Sequence, residues 1–162
     1  MLIRKTKFAD IYSVMQIYAE AREFMRENGN PTQWKDNSPP RERIERDIHE
    51  EKSYVCVEND EIIAVFYFAV ECEPAYESID GKWLSDDIYG VIHRIAKSRS
   101  APKGIGRFCI DWCFEQHGNI RIDTHENNAP MRKLLDNLGF VYCGIVRYSD
   151  GAERIAFQKI YI

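Results

Sequence analysis

The sequence predicts a mixed α/β fold in which about seven strands form one sheet with helices on both faces. Segments with the two-residue spacing of strands alternate with segments of helical spacing, in the order βααβββαβαββ. The chain has 162 residues, the usual size of one domain, and no repeat, low-complexity tract or linker divides it. We therefore predict a single domain over residues 1–162.

The first part of the chain is predicted to form one strand and two helices. Residues 2–5 suit a short strand, and from about Phe8 the apolar residues recur at helical spacing until Asn28-Gly29. A loop over residues 30–40 follows. Ser38-Pro39 near its end can begin a second helix, whose isoleucines fall on one face.

Three strands are predicted next. The first two occupy residues 53–57 and 62–70, and the polar residues 58–61 between them are typical of a hairpin turn. The segment 71–87 is irregular and acidic, and the third strand of this group then covers residues 88–96.

A glycine-containing loop and an apolar helix follow that strand. The loop reads Lys103-Gly104-Ile105-Gly106-Arg107. A strand, a glycine loop and a helix in this order favour anion binding, because glycine lets the backbone approach a phosphate and the first-turn N–H groups lack helical acceptors. The helix dipole and the two cationic side chains add positive charge there. The alternative is that Gly104 only permits close packing of helix and strand.

The end of the chain is predicted to form a strand, a helix and two strands. After the strand 119–124, a short helix begins at an Asn128 cap and ends at Gly139. The last two strands cover residues 140–147 and 154–160.

Together, the loop at 103–107 and the segment from Asn127 to Phe140 resemble the GCN5-related N-acetyltransferase (GNAT) family. In that family the fourth strand leads into a pyrophosphate loop, and a later helix begins at an Asn and ends in Gly-Phe. The resemblance covers essentially the whole chain. It implies the GNAT acyl-CoA N-acyltransferase fold, acetyl-CoA as the co-substrate, and no metal.

The resemblance also implies which residues contact the cofactor. A strand that splays from its neighbour would bind the pantetheine amides, the glycine loop would bind the diphosphate, and an Asn on the later helix would lie near the reactive end. The predicted cofactor-binding residues are Ile95, Ala96, Lys103, Gly104, Ile105, Gly106, Arg107 and Asn128.

Three positions depart from the family pattern. Ala101 replaces an Arg or Gln, and Pro102 replaces a glycine, so one donor to the pyrophosphate is missing and the loop is stiffer. Arg99 is a candidate for supplying the lost positive charge. Leu135 stands where many members carry the tyrosine that protonates the departing thiolate, and leucine cannot do so.

Four residues are candidates for proton transfer. Amine acetylation requires a neutral amine and hence a general base. We choose His93, because strict alternation puts its side chain on the same face as that of Ile95 and because imidazole ordinarily titrates near neutral pH. The alternative is a buried histidine bonded to a backbone carbonyl. His125 is the second candidate base, its alternative being a turn residue that orients the next helix. Tyr142 and Tyr148 are the candidate acids.

The acceptor site is predicted to lie between the first interhelical loop and the segment before residue 88. Large amphipathic side chains in these segments are the predicted substrate-binding residues, namely Trp34, Trp83 and Tyr89. The acidic residues nearby favour a cationic acceptor such as a primary amine, the alternative being ordinary surface carboxylates. They are Asp36, Glu77, Asp80, Asp86 and Asp87.

Composition narrows the class of protein. The net charge of −4 argues against a nucleic-acid partner, and no apolar run approaches the ~20 residues that span a membrane. The N-terminus lacks a signal-peptide core, so we expect a cytoplasmic protein. The five cysteines are interpreted as buried thiols, the alternative being a metal pair at Cys109 and Cys113.

We therefore predict an N-acetyltransferase that moves an acetyl group from acetyl-CoA to a primary amine of a small molecule or peptide, by direct attack in a ternary complex. The alternative is a catalytically weak acyl-CoA-binding module used for sensing or assembly. A P-loop nucleotide hydrolase is disfavoured, because the loop lacks Gly-Lys-Ser/Thr. The expected partner is the small-molecule amine, with no nucleic acid and no membrane, and the sequence is compatible with a homodimer.

Overall fold

The computed structural model describes residues 1–35 and 37–161, and within them the chain forms one eight-stranded sheet with four helices. The strands are β1 (Leu2–Lys5), β2 (Ser53–Glu58), β3 (Glu61–Val70), β4 (Ile79–Gly81), β5 (Gly90–Lys97), β6 (Asn119–Thr124), β7 (Val141–Arg147) and β8 (Glu153–Ile160). The helices are α1 (Ile11–Glu27), α2 (Arg41–His49), α3 (Ile105–Gln116) and α4 (Ala129–Asn137). None of these helices combines the length and apolar character that crossing a bilayer requires.

The predicted mixed sheet is confirmed, and its strand order is β1-β2-β3-β5-β6-β8-β7-β4. Among the described strands only β5 and β6 pair in parallel. The short strand β4 was not predicted. It pairs with β7 through Gly81 and Gly144, whose φ angles of 140° and 147° and close backbone approach favour glycine at both positions.

The helices cover both faces of the sheet. Val65 packs with α1 and α2, whereas the next residue along β3, Phe66, packs with α3 and α4. Farther along the sheet, the α1–α2 face carries an aromatic cluster built on Tyr76, Trp83 and Tyr89. This cluster holds the segment before β5, which was predicted as irregular, against β5, β7 and β8.

A bulge in β5 positions the site. Val65 pairs with Ala96 and Tyr67 pairs with His93, so two residues of β5 face one residue of β3. Within the bulge, Arg94 adopts a left-handed φ of 49°. On its other side β5 pairs with β6 only as far as Ile92, and beyond that point the two strands part.

Four of the five cysteines are buried, as predicted. Cys72 is exposed, so the interpretation as buried thiols is wrong at that position. It follows the last residues of β3 and precedes the 3-10 turn Pro74–Tyr76, where the chain runs over the surface.

Candidate active site

A cleft of about 550 Å³ opens where β5 and β6 part. The α1–α2 loop, the segment after β3, the beginning of α4 and the β7–β8 turn complete its walls. Carboxyl ends of neighbouring parallel strands are a common location for binding sites in α/β proteins, because the loops beyond them are free to carry functional side chains.

The bulge changes which face His93 occupies. His93 packs against Tyr67 at a ring separation of 5.4 Å, on the α1–α2 face, and Ile95 packs into the core on the α3–α4 face. The predicted common face of His93 and Ile95 is therefore wrong, since the extra residue Arg94 interrupts the alternation. Both side chains still line the cleft.

Three buried groups hold Arg94 in its left-handed conformation. Its guanidinium makes a bidentate ion pair with Asp47 of α2, with both N–O distances at 3.0 Å, and stacks on Tyr67 at 4.7 Å. The Tyr18 hydroxyl donates to the Arg94 carbonyl at 2.8 Å. A strained residue at a bulge persists only when its surroundings fix it, and these contacts do so.

His93 makes a hydrogen bond with Glu73, with 3.2 Å between Nε2 and Oε2. Burial raises the pKa of Glu73, but the hydrogen bond and charge of His93, together with the Ala75 N–H and the charge of Arg94, bring it below its usual value. An ionised carboxylate only accepts, hence Nε2 of His93 donates. The neutral imidazole then has its lone pair on Nδ1, which no described residue hydrogen-bonds. This pairing replaces the alternative of a histidine bonded to a backbone carbonyl.

Asp123, the next residue after the last β5–β6 pair on β6, also lines the cleft. The hydroxyls of Tyr76 and Tyr148 both donate to its Oδ2, each at 2.6 Å. Burial, and then the negative charge of Asp123, raise the pKa of Tyr148 well above its usual value. Tyr148 thus holds its proton firmly.

The other predicted acid is not at the site. Tyr142 is exposed and packs its ring against Phe157, on the α3–α4 face and outside the cleft lining. The assignment of Tyr142 as a catalytic candidate is therefore wrong. Leu135 is fully buried in the core and does not line the cleft.

Gln33, which the sequence analysis did not single out, joins the interhelical loop to the start of α4. Its Oε1 accepts from Asn30 at 2.8 Å and from Asn128 at 3.1 Å, with longer contacts of 3.4 Å from the Thr124 hydroxyl and the His125 N–H. Asn128 uses its other amide atom, Oδ1, to cap α4 by accepting from the Met131 N–H, as predicted.

Substituting Asn128 separates its two contacts. Asn128→Ser should keep the cap but lose the hydrogen bond to Gln33, so we expect weaker activity with nearly unchanged stability. Thermal unfolding and acetylation rates measure the two effects. Asn128→Ala, which loses both contacts, should in addition cost about 1 kcal/mol of stability. Full activity in a well-folded Ser variant would restrict Asn128 to capping.

His125 has the structural contacts of a turn residue. Its Nδ1 accepts from the Asn127 N–H at 3.0 Å, and its Nε2 lies 3.1 Å from the Thr32 hydroxyl. Burial and the nearby charge of Arg154 lower the pKa of His125. Because both ring nitrogens are engaged and the side chain is absent from the cleft lining, the structure favours the turn alternative over a catalytic role.

The start of α3 has the features of an anion site. The first helical hydrogen bond runs from Phe108 to Gly104, leaving the N–H groups of Ile105, Gly106 and Arg107 without helical acceptors. Gly104 has a φ of 91°, and no heavy atom lies within 4 Å of where its Cβ would be. The packing alternative for Gly104 is thus wrong. Exposed Lys103 flanks the opening.

The neighbouring residues refine this picture. Gly106 is the glycine that packing requires, since a Cβ there would lie 3.1 Å from Leu134 of α4. Arg99 forms an ion pair with Glu27 of α1 at 3.0 Å, so its guanidinium lies against α1, and its role as a replacement for the missing loop cation stays a prediction. Ala101 packs against the core.

Of the three predicted substrate-binding aromatics, only Trp34 lines the cleft, where it packs edge-on against Tyr18. Trp83 and Tyr89 are buried and stack on the guanidinium of Arg121, at 4.0 and 4.1 Å. Their prediction as substrate contacts is wrong, because both rings are buried against Arg121 of β6 and do not line the cleft.

The carboxylates of the cleft also differ from those predicted. Those from the segment before β5 are exposed and outside the cleft, namely Glu77, Asp80, Asp86 and Asp87. Asp36 lies outside the described residues. The cleft is lined instead by Glu71, Glu73, Asp123 and Asp150. Glu71 and Glu73 follow β3, Asp123 lies near the end of β6, and Asp150 lies in the β7–β8 turn.

Comparison with known structures gives close matches. A GNAT-family acetyltransferase from Streptococcus agalactiae 2603 is 33% identical, with a TM-score of 0.90 over 99% of this chain and 95% of that one. A GNAT-family acetyltransferase from Listeria monocytogenes 4b F2365 is 19% identical, with a TM-score of 0.73 over 99% and 94%. A ribosomal-protein-alanine N-acetyltransferase from Brucella melitensis is 17% identical, with a TM-score of 0.67 over 99% and 100%. No family model and no curated protein matches the chain.

Proposed function

The chain belongs to the GNAT family of acetyltransferases, and on that basis we propose that it transfers the acetyl group of acetyl-CoA to a primary amine of a small molecule or peptide. The observation that carries the proposal is the parting of β5 from β6 after Ile92, next to a helix start with three unpaired N–H groups. We keep the cytoplasmic location and a homodimer as predictions.

The residues present suit acetyl-CoA. The first turn of α3, with Lys103 and Arg107, would hold the diphosphate, because backbone N–H groups, the helix dipole and two cations act together there. The edge of β5 at Ile95 and Ala96 faces the gap left by β6 and would bind the pantetheine amides. When bound, acetyl-CoA supplies the thioester carbonyl carbon that the amine attacks.

The reacting amine would be deprotonated at the His93–Glu73 pair. Glu73 fixes the imidazole by accepting from Nε2, and Nδ1 takes the proton of the amine. The acceptor would react as the neutral amine, an ammonium having first lost a proton to solvent. Its lone pair would form the C–N bond as the C–S bond breaks, and Nδ1 would take the one proton that this nitrogen must lose to become the amide nitrogen. Charge is conserved, since the imidazole gains one positive charge and the sulfur departs as a thiolate.

Water is the proposed source of the proton that the thiolate receives. Tyr148 is poorly suited to this step, because its O–H donates to Asp123 and its raised pKa makes it a weaker acid than a free phenol. Tyr148 instead holds Asp123 in place.

A panel of primary amines assayed with acetyl-CoA tests the proposal. We expect release of free CoA thiol that depends on the amine, with an acetylated product detected by mass spectrometry. The buried Leu135 leaves the alternative of a weak acyl-CoA-binding module. CoA binding by calorimetry without amine-dependent thiol release would favour that alternative, and absence of both would contradict an acetyl-CoA site.

A further inference from the structure

Asp123 occupies a special place in the cleft. β5 and β6 pair in parallel up to Ile92 and Ile122, so His93 and Asp123 are the first residues on the two strands after they part. Neighbouring strands lie ~4.8 Å apart where they pair, and the separation grows from there. Asp123 thus stands across the gap from the proposed base.

One oxygen of Asp123 is available to a ligand. Oδ2 accepts from Tyr76 and Tyr148, whereas Oδ1 has no hydrogen-bond partner among residues 1–35 and 37–161. Oδ1 is also absent from the fully buried atoms without partners, which in this part of the chain are Asn30 Oδ1 and Arg121 Nε. It therefore remains accessible from the cleft.

No described cation neutralises Asp123. Of the arginines that line the cleft, Arg94 is paired with Asp47, Arg154 donates to the backbone carbonyls of Gln33 and Glu153, and Arg43 is exposed. None of the three forms an ion pair with Asp123. Of the other carboxylates that line the cleft, Glu71 pairs with Lys52 at 2.8 Å and Glu73 pairs with His93. Asp150 is exposed in the β7–β8 turn and accepts from the Ala152 N–H.

The chemistry of the transfer indicates what Asp123 binds. The reacting amine must become neutral, and an ion pair with a carboxylate would hold it in the protonated, unreactive form. The two phenols fix Asp123 in one orientation, which suits a constant partner better than one that changes charge during the reaction. A nitrogen that stays protonated throughout fits this requirement.

We propose that Asp123 binds a second, non-reacting ammonium group of the acceptor, so that the preferred acceptors are amines with an additional positive charge, short aliphatic diamines being the smallest. The inference rests on the proposed function, because it concerns the acceptor of the same transfer. One nitrogen faces His93 and Glu73 while the other binds Asp123 across the gap.

The test compares acceptors of matched length. Cadaverine carries a second amine, pentylamine lacks it, and 5-aminopentanol replaces it with a neutral polar group. For the wild-type protein we expect kcat/KM for cadaverine to exceed that for either other amine by about 10- to 100-fold, the usual value of a charged hydrogen bond. Asp123→Asn should remove most of this preference. Glu115→Gln, which removes an exposed negative charge on α3, should preserve it.

The outcomes are separable. Equal kcat/KM for the three amines in the wild-type protein would overturn the inference while leaving the proposed function intact. A decrease in kcat/KM by the same factor for all three amines in Asp123→Asn would also overturn the inference. Failure to acetylate any amine would contradict the proposed function itself. CoA affinity and thermal unfolding show whether Asp123→Asn is folded. If this variant does not fold, the comparison of the three amines with the wild-type protein tests the inference by itself.

Discussion

His93→Gln is expected to lower kcat/KM by about 100-fold or more, because one positioned general base typically contributes at least that factor. The wild-type rate should rise with pH as the base loses its proton, and this rise should be absent in the variant. Because the pKa of Tyr148 is raised by burial and by Asp123, we expect no fall in rate at high pH from ionisation of that phenol.

Two further variants make the His93 result specific. Glu73→Gln should also slow the reaction, because an amide no longer fixes the imidazole through an ionised acceptor. His49→Gln makes the same substitution at an exposed position at the end of α2 and should leave rate and pH profile unchanged. If His93→Gln binds CoA normally and keeps both rate and pH profile, His93 is structural and the base is Glu73 or ordered water.

Gly104→Asp is expected to weaken CoA binding by more than tenfold relative to Gly104→Asn. Asp and Asn have nearly the same size and both tolerate a left-handed φ, so the two variants differ mainly in charge. A negative charge ~5 Å from a phosphate costs about 1–3 kcal/mol for each phosphate charge at the dielectric of a protein surface. Calorimetry with CoA measures the difference.

Salt provides a control for the Gly104 pair. The difference in CoA affinity between the Asp and Asn variants should decrease as ionic strength rises, because exposed charges are screened. Equal affinity of the two variants at low salt would remove the start of α3 from the phosphate site, even if both bind CoA less well than the wild-type protein.

Local sequence patterns predicted most helices and strands of the fold. Elements that depend on contacts between distant parts of the chain were not predicted. The cap at Asn128 and the turn over 58–61 are local, and both were found where the sequence indicated. The strand β4 was not predicted, because three residues form it only by pairing with β7, which lies more than 60 residues later in the chain.

The candidate site was predicted in part, for a similar reason. His93 and Trp34 reach the cleft as expected. Alternation placed His93 on the wrong face relative to Ile95, since no sequence signal marks the bulge at Arg94.

Partners that meet only in the folded chain were the hardest to predict. Glu73 meets His93 20 residues away, and Asp123 meets Tyr76 47 residues away, so neither pair has a sequence spacing that identifies it. Likewise, Trp83 was predicted to bind substrate because it is a large amphipathic side chain, and its partner Arg121 comes close to it only in the folded structure.

The most direct test of this account is a crystal structure of the protein with CoA. The diphosphate should accept hydrogen bonds from the first-turn N–H groups of α3, and the sulfur should lie in the gap between β5 and β6, beside His93 and Asp123. Diphosphate bound away from the start of α3, or a sulfur outside that gap, would contradict the account.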